Sequence, residues 1–142
     1  MEQQIDDSHI PYFGTTYIPN VVFLGENDEE YRFDVVAAAA PDVRQHTNEY
    51  KSFFRDATTE EMKAVILKKV EAVMASCVAN NVSVLIAGAF GCGVYRCDSV
   101  MVAQSFKEAI RLPKFKNKGI RKVVFAIAYN DVKLQLFRET IM

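Results

Sequence analysis

The stretch from Val82 to Asp98 constrains the fold more than any other part of this 142-residue sequence. It begins with an apolar, β-branched run, V-S-V-L-I-A, that predicts a buried strand. It ends at Asp98, where the spacing of an amphipathic helix begins. Glycines 88, 91 and 93 lie between them. A strand, a glycine-rich turn and a helix N-terminus together form a common backbone site for phosphate.

The elements around this stretch predict an α/β fold with a largely parallel sheet and helices on its faces. An aromatic, β-prone segment extends to Tyr17. We expect Pro19-Asn20 to end this segment before a short strand begins. Thr58 and Glu61 form a capping box for the clearest helix. In order, strands are predicted at 21–24, 31–38, 82–87 and 123–128, and helices at 58–81, 99–112 and 130–141.

Helical spacing also predicts which side chains face the core. The first helix carries an apolar stripe, and most of its charged side chains are expected on the opposite side, including Lys69. The stripe comprises Met62, Ile66, Val70, Val73, Met74 and Cys77. The inward residues of the last helix are predicted to be Val132, Leu136, Phe137 and Ile141.

Composition predicts a globular protein of one domain, residues 1–142, in which the polar segment 1–11 is expected to be disordered. A net charge of −1 argues against general nucleic-acid binding. The basic connector 114–122 is interpreted as solvated, and contact with a polyanion such as RNA is the less favoured interpretation. The absence of a signal sequence and of long apolar runs, with three cysteines, predicts an intracellular protein with reduced thiols and no membrane contact.

The glycine loop matches neither of the common nucleotide motifs, because it lacks G-K-[ST] and no glycine follows Gly93 at the spacing of G-x-G-x-x-G. Its glycines would let backbone N–H groups approach an anion, and the following helix would add the positive end of its dipole. Tyr95 could stack on a sugar or base, and Arg96 could reach a phosphate or be solvated. The residues alone leave phosphate binding and a merely tight connection equally open.

Other chemistry is weakly supported. Cys92, at the start of a helix, would have a lowered pKa, but His9 and His46 lie in irregular segments and supply no evident base. Three cysteines and two histidines offer few ligands for a zinc site, so no metal and no cofactor is predicted. The acid pairs Glu29-Glu30 and Glu60-Glu61 are interpreted as solubility and helix-terminal charge rather than general acid–base groups.

The order A-G-A-F-G-C-G-V-Y-R-C-D, followed by V-A-Q-S-F and V-V-F-A-I, resembles the C-terminal half of the microbial poly(ADP-ribose) glycohydrolase family, a branch of the macrodomain fold. The segments P-N-V-V-F-L and F-D-V-V-A-A-A-A-P-D resemble the two strands that precede it there. The resemblance extends from about Tyr17 onward. It implies a three-layer α/β/α macrodomain with a mainly parallel sheet, truncated at its N-terminal side.

The resemblance also implies a ligand, ADP-ribose or an ADP-ribosylated protein. The loop would wrap the diphosphate, and Tyr95 would pack against a ribose. The implied binding residues are Gly88, Ala89, Phe90, Gly91, Cys92, Gly93, Val94 and Tyr95.

One departure from the family concerns catalysis. Its enzymes carry an earlier Asn, a Gly-Gly-Gly run and a Gln-Glu-Glu signature, and this sequence shows none of them, so its catalytic residues stay unknown. Any hydrolysis would cleave an ADP-ribosyl glycosidic bond. The alternative function is a non-enzymatic interaction protein that completes its fold with a partner or with a second copy, as a homo-oligomer.

Overall fold

The structure, a computed structural model, describes residues 13–44 and 57–142. The predicted disorder of residues 1–11, and both histidines, lie outside these residues. Within them the element order is that of an α/β protein, as predicted. The elements are β1 (Thr15–Leu24), β2 (Glu30–Ala38), α1 (Thr59–Ala79), β3 (Val84–Ala87), α2 (Ser99–Arg111), β4 (Lys122–Phe125) and α3 (Asp131–Ile141).

Strands β1 and β2 form an antiparallel hairpin, whereas the element order favoured a largely parallel sheet. The reason is the short connection between them, which only antiparallel neighbours can share. Its turn is closed by a 2.8 Å hydrogen bond from the Gly25 N–H to the Glu29 carbonyl. Parallel pairing is confirmed for β3 and β4, where Leu85 lies opposite Val123. In the described residues these are two separate two-stranded sheets.

The sequence predicted that Pro19 and Asn20 end a β segment, and this prediction is wrong. The two residues form a bulge inside β1. Ile18 pairs with Val35 and Val21 with Phe33, so both bulge residues lie opposite Asp34 alone. Asn20 takes a left-handed conformation with φ of 57°, and its N–H donates to the Asp34 carboxylate at 2.8 Å. The Tyr17 hydroxyl donates to the same carboxylate. One acidic side chain therefore holds the irregular part of the hairpin.

The three helices form the main core with the parallel strands. Helix α1 starts at the predicted capping box, and α2 ends before Pro113. The Phe125 ring packs edge-to-face on Phe106 and at a tilt against Phe137, with centroid separations of 5.1 and 5.5 Å. Along β3, Leu85 is buried, whereas Val84 and Ile86 are 46% and 57% exposed. The parallel pair is therefore covered on one face and open on the other.

Two predicted side-chain orientations are wrong. Lys69 is only 2% exposed, although it was expected on the polar side of α1. Its ammonium lies 5.5 Å from the centre of the Phe13 ring, because the N-terminal end of the described chain passes over this part of the helix. Val132 was expected to face inward but is 79% exposed, since it lies in the first turn of α3, beyond the packed part of the helix.

Candidate functional site

The glycine loop leaves the carboxyl end of β3 and leads into α2, and it contains all eight predicted binding residues. Backbone hydrogen bonds fold it into consecutive turns. The N–H of Cys92 donates to the Ala89 carbonyl at 2.9 Å, and that of Cys97 to the Gly91 carbonyl at 3.0 Å. The loop is therefore an ordered backbone structure at the sheet edge where α/β proteins bind ligands.

Gly91 and Gly93 differ in what their missing side chains allow. Gly91 has φ of +72°, and a Cβ there would lie 2.7 Å from the Cys97 sulfur and 2.8 Å from the Ala40 Cβ. No larger residue fits that position without displacing its neighbours. A Cβ on Gly93 would meet nothing within 4 Å. Gly91 is therefore required by the fold, whereas the space above Gly93 is open.

The backbone N–H groups beside that open space are available. Those of Gly93, Val94 and Tyr95 make no hydrogen bond within the part of the chain that the structure describes. All three residues are exposed, so their donors can face a ligand or water. Successive free N–H groups at a loop form a concavity that favours an anion.

The loop is fixed in place by two distant segments that sequence reasoning did not connect to it. After β2, the Pro41 carbonyl accepts a hydrogen bond from the Cys97 thiol at 3.2 Å, and the Val43 N–H donates to the Tyr95 carbonyl at 3.0 Å. From α3, the Lys133 ammonium donates to the Cys92 carbonyl at 2.9 Å. These contacts join residues far apart in sequence, and no local pattern reveals them.

Two arginines lie at the exposed part of the loop. The Arg44 guanidinium lies 5.4 Å from the centre of the Tyr95 ring and is held by the Asp42 carboxylate at 2.8 Å. Tyr95 remains 41% exposed. Arg96 is exposed and has φ of 59°, an uncommon conformation for a residue with a side chain. Its role toward phosphate, like that of Tyr95 toward ribose, stays a prediction.

The helix dipole contributes less to this site than the sequence suggested. Asp98 is the N-cap of α2, and its carboxylate accepts the Met101 N–H at 2.8 Å. The cap therefore neutralises part of the positive end of the helix. The donors that remain for an anion belong to the loop itself.

Cys92 is not an activated thiol. Burial raises its pKa, and burial raises the pKa of Cys97 to about 11, so the expected lowering is wrong. The buried thiols instead donate to carbonyl groups of the loop and of the segment after β2. Both cysteines have structural roles in packing the loop.

One glutamate of each acid pair has a local structural partner. The Glu29 carboxylate accepts the Asn27 N–H at 3.2 Å in the hairpin turn. Glu61 completes the capping box by accepting the Thr58 N–H at 2.7 Å. Over residues 13–44 and 57–142, no group of three His, Cys, Asp or Glu residues could hold a metal ion. No helix in those ranges has the length and apolar character needed to cross a bilayer.

Comparison with known proteins places this geometry in a known fold. The sequence matches no protein-family model and no curated protein. Among solved structures it is similar to poly(ADP-ribose) glycohydrolase from Thermomonospora curvata, with 25% identity and a TM-score of 0.73 over 89% of this chain and 46% of that one. A point mutant of the same enzyme gives 26% identity and a TM-score of 0.72, with 48% of that chain covered.

The glycohydrolase from Deinococcus radiodurans, solved in complex with ADP-ribose, is 20% identical to this chain with a TM-score of 0.71. The match covers 89% of this chain and 52% of that one. This chain thus spans about half the length of the enzymes it resembles. It has the macrodomain-type fold of the bacterial poly(ADP-ribose) glycohydrolases and is related to that family.

Proposed function

We propose that this protein binds ADP-ribose, free or attached to a protein, through the loop from Gly88 to Tyr95. The observation that carries the proposal is the set of unbonded N–H groups at Gly93, Val94 and Tyr95 beside open space. A diphosphate accepts several such hydrogen bonds at once, and charge strengthens each of them. The structural likeness to a glycohydrolase solved with ADP-ribose supports the same ligand.

Lys133 and Arg44 support this assignment from either side of the loop. The Lys133 ammonium, bonded to the Cys92 carbonyl, brings a positive charge to the loop backbone. The Arg44 guanidinium lies over the Tyr95 ring, and the ring stays partly exposed, so it offers a flat surface for a ribose. Hydrogen bonds from the backbone fix the phosphates, whereas the ring would distinguish the sugar.

Hydrolysis is not part of this assignment. Cleavage of a glycosidic bond requires a carboxyl group positioned to protonate the leaving oxygen. Of the described carboxylates beside the loop, Asp98 caps α2 and Asp42 binds Arg44. We therefore expect no release of ADP-ribose from poly(ADP-ribose) by this chain alone; release would show that a further acidic group acts in it.

The test of binding is calorimetric titration with ADP-ribose of the natural chain and of Gly93→Phe. A side chain at residue 93 fits the fold but occupies the space where the phosphates would lie, so affinity should fall by about tenfold or more. Leu24→Phe is the matched control, because residue 24 is 68% exposed and lies at the far end of β1. Unchanged affinity in Gly93→Phe, or no heat with the natural chain, would contradict the proposal.

A further inference from the structure

A groove of about 1120 Å³ runs between the hairpin and the parallel strands. Consecutive residues of β2, from Tyr31 to Val36, line one side, and consecutive residues from Val82 to Gly88 line the other. Side chains of a strand alternate between its two faces. A groove that touches every residue in turn therefore follows the edges of both strands rather than one face.

Both of these edges lack a partner strand in the described residues. Strand β2 pairs only with β1, and β3 pairs only with β4. Helix α1 lies along the groove and contributes Val73 and Cys77 to its lining. The two unpaired edges thus line a single open groove, and helix α1 adds apolar side chains at its base.

The chemistry of the groove indicates what it accepts. Arg32 and Asp34 are the charged residues among those that line it, and the remainder are mostly apolar or aromatic. Phe33 and Ile86, on opposite sides, are 47% and 57% exposed. Apolar side chains at an unpaired strand edge favour the addition of another strand.

The described strands of a second copy do not match the groove. Each of its four described strands already has a partner on one edge, so it offers only one free edge. A strand placed between β2 and β3 needs both edges free. The solved glycohydrolases, in contrast, contain about as many residues outside the match as inside it.

We propose that the groove between β2 and β3 binds an extended, apolar segment from outside residues 1–142, which forms a strand paired with both edges. The segment corresponds to the part of a glycohydrolase that this chain does not match. Gly88 and Phe90 line the groove where β3 meets the glycine loop, so one end of the bound segment lies beside the proposed ADP-ribose site. The docking itself does not depend on that site being correct.

The experiment uses peptides of about 15 residues, long enough for one strand with flanks, that tile the unmatched part of the Thermomonospora curvata enzyme. Each fluorescent peptide is titrated with the full chain, and anisotropy reports binding. We expect at least one peptide to bind saturably and its scrambled version not to bind. Ile86→Lys should weaken that binding by about tenfold or more, because it places a charge in the apolar groove.

Leu24→Lys is the matched control, since residue 24 is similarly exposed, lies on a strand and does not line the groove. Sedimentation of the same samples without peptide measures self-association. Binding by no peptide overturns the proposal. So does a dimer that Ile86→Lys dissociates, because a second copy would then occupy the groove.

Titration with ADP-ribose on these samples separates the two proposals. Peptide binding without ADP-ribose binding would retain the docking surface and contradict the proposed function. ADP-ribose binding without peptide binding would support the proposed function and contradict the docking surface.

Discussion

The helical layer and the hairpin of this molecule are stabilised in different ways. Helices α1, α2 and α3 bury side chains completely, among them Ile66, Val102 and Phe137. The hairpin contains no buried residue in either strand. Its order comes from backbone pairing and from the contacts of Asp34 at the bulge. The difference indicates that the helical layer has its own core, whereas the hairpin leaves apolar side chains exposed.

The largest effect is expected from removing a core ring. Phe137→Ala should lower the free energy of unfolding by about 3–5 kcal/mol, because Phe137 is 1% exposed and packs against Phe125. Phe33→Ala is its matched control in the hairpin, where the ring is 47% exposed, and should cost below about 1 kcal/mol. Urea unfolding measures both. Equal losses would contradict the distinction between the regions.

A smaller but still large effect is expected where the two regions meet. Gly91→Ala should destabilise the protein by roughly 2–4 kcal/mol, because the new Cβ combines a positive φ with overlap at Cys97 and Ala40. Gly93→Ala, with open space at residue 93, should leave the melting temperature nearly unchanged. Thermal unfolding of the pair provides the measurement. If both variants melted alike, the contacts assigned to Gly91 would be incorrect.

The smallest effect concerns the hairpin alone and depends on pH. The hydrogen bond to Asp34 raises the pKa of Tyr17 from 10.0 to about 12. A raised folded-state pKa means that the bond stabilises the hairpin fully below pH 10 and is lost as pH rises toward 12. Tyr17→Phe should therefore speed amide exchange in the hairpin at neutral pH and leave the helices unchanged.

Hydrogen exchange measured residue by residue checks this expectation. The difference between the natural chain and Tyr17→Phe should shrink as pH passes from 10 toward 12. Exchange that increased equally in α1 and the hairpin would show that Tyr17 stabilises the whole molecule. A difference that stayed constant over this pH range would contradict the role of the phenol proton.

Local signals in the sequence predicted most elements of the fold. The capping box at Thr58, the stop at Pro113 and the apolar stripe of α1 each depend on a few neighbouring residues. The errors arose where distant contacts decide the outcome. Lys69 is buried because a segment far away in sequence covers it, and Pro19-Asn20 stays within β1 because Asp34 supplies the missing contacts.

In the candidate site, too, features set by neighbouring residues could be predicted and features set by distant contacts could not. Its glycines, its position after β3 and its resemblance to a family could be identified from the sequence. The sequence could not reveal that Gly91 is enclosed while Gly93 is open, because that depends on Ala40, about 50 residues away. The contacts of Arg44 and Lys133 with the loop likewise required three-dimensional information.

The hydrogen bond from the Cys97 thiol to the Pro41 carbonyl has a consequence for the order of folding. It joins residues 56 positions apart, and closing a chain loop of that length costs roughly 3–4 kcal/mol of entropy. Helices form from local contacts and do not bear this cost. We therefore expect the glycine loop to take its shape late in folding, after α1 and α2. Ligand binding would then report on the completed chain, and a variant that weakens this closure would lose the site while its helices remain folded.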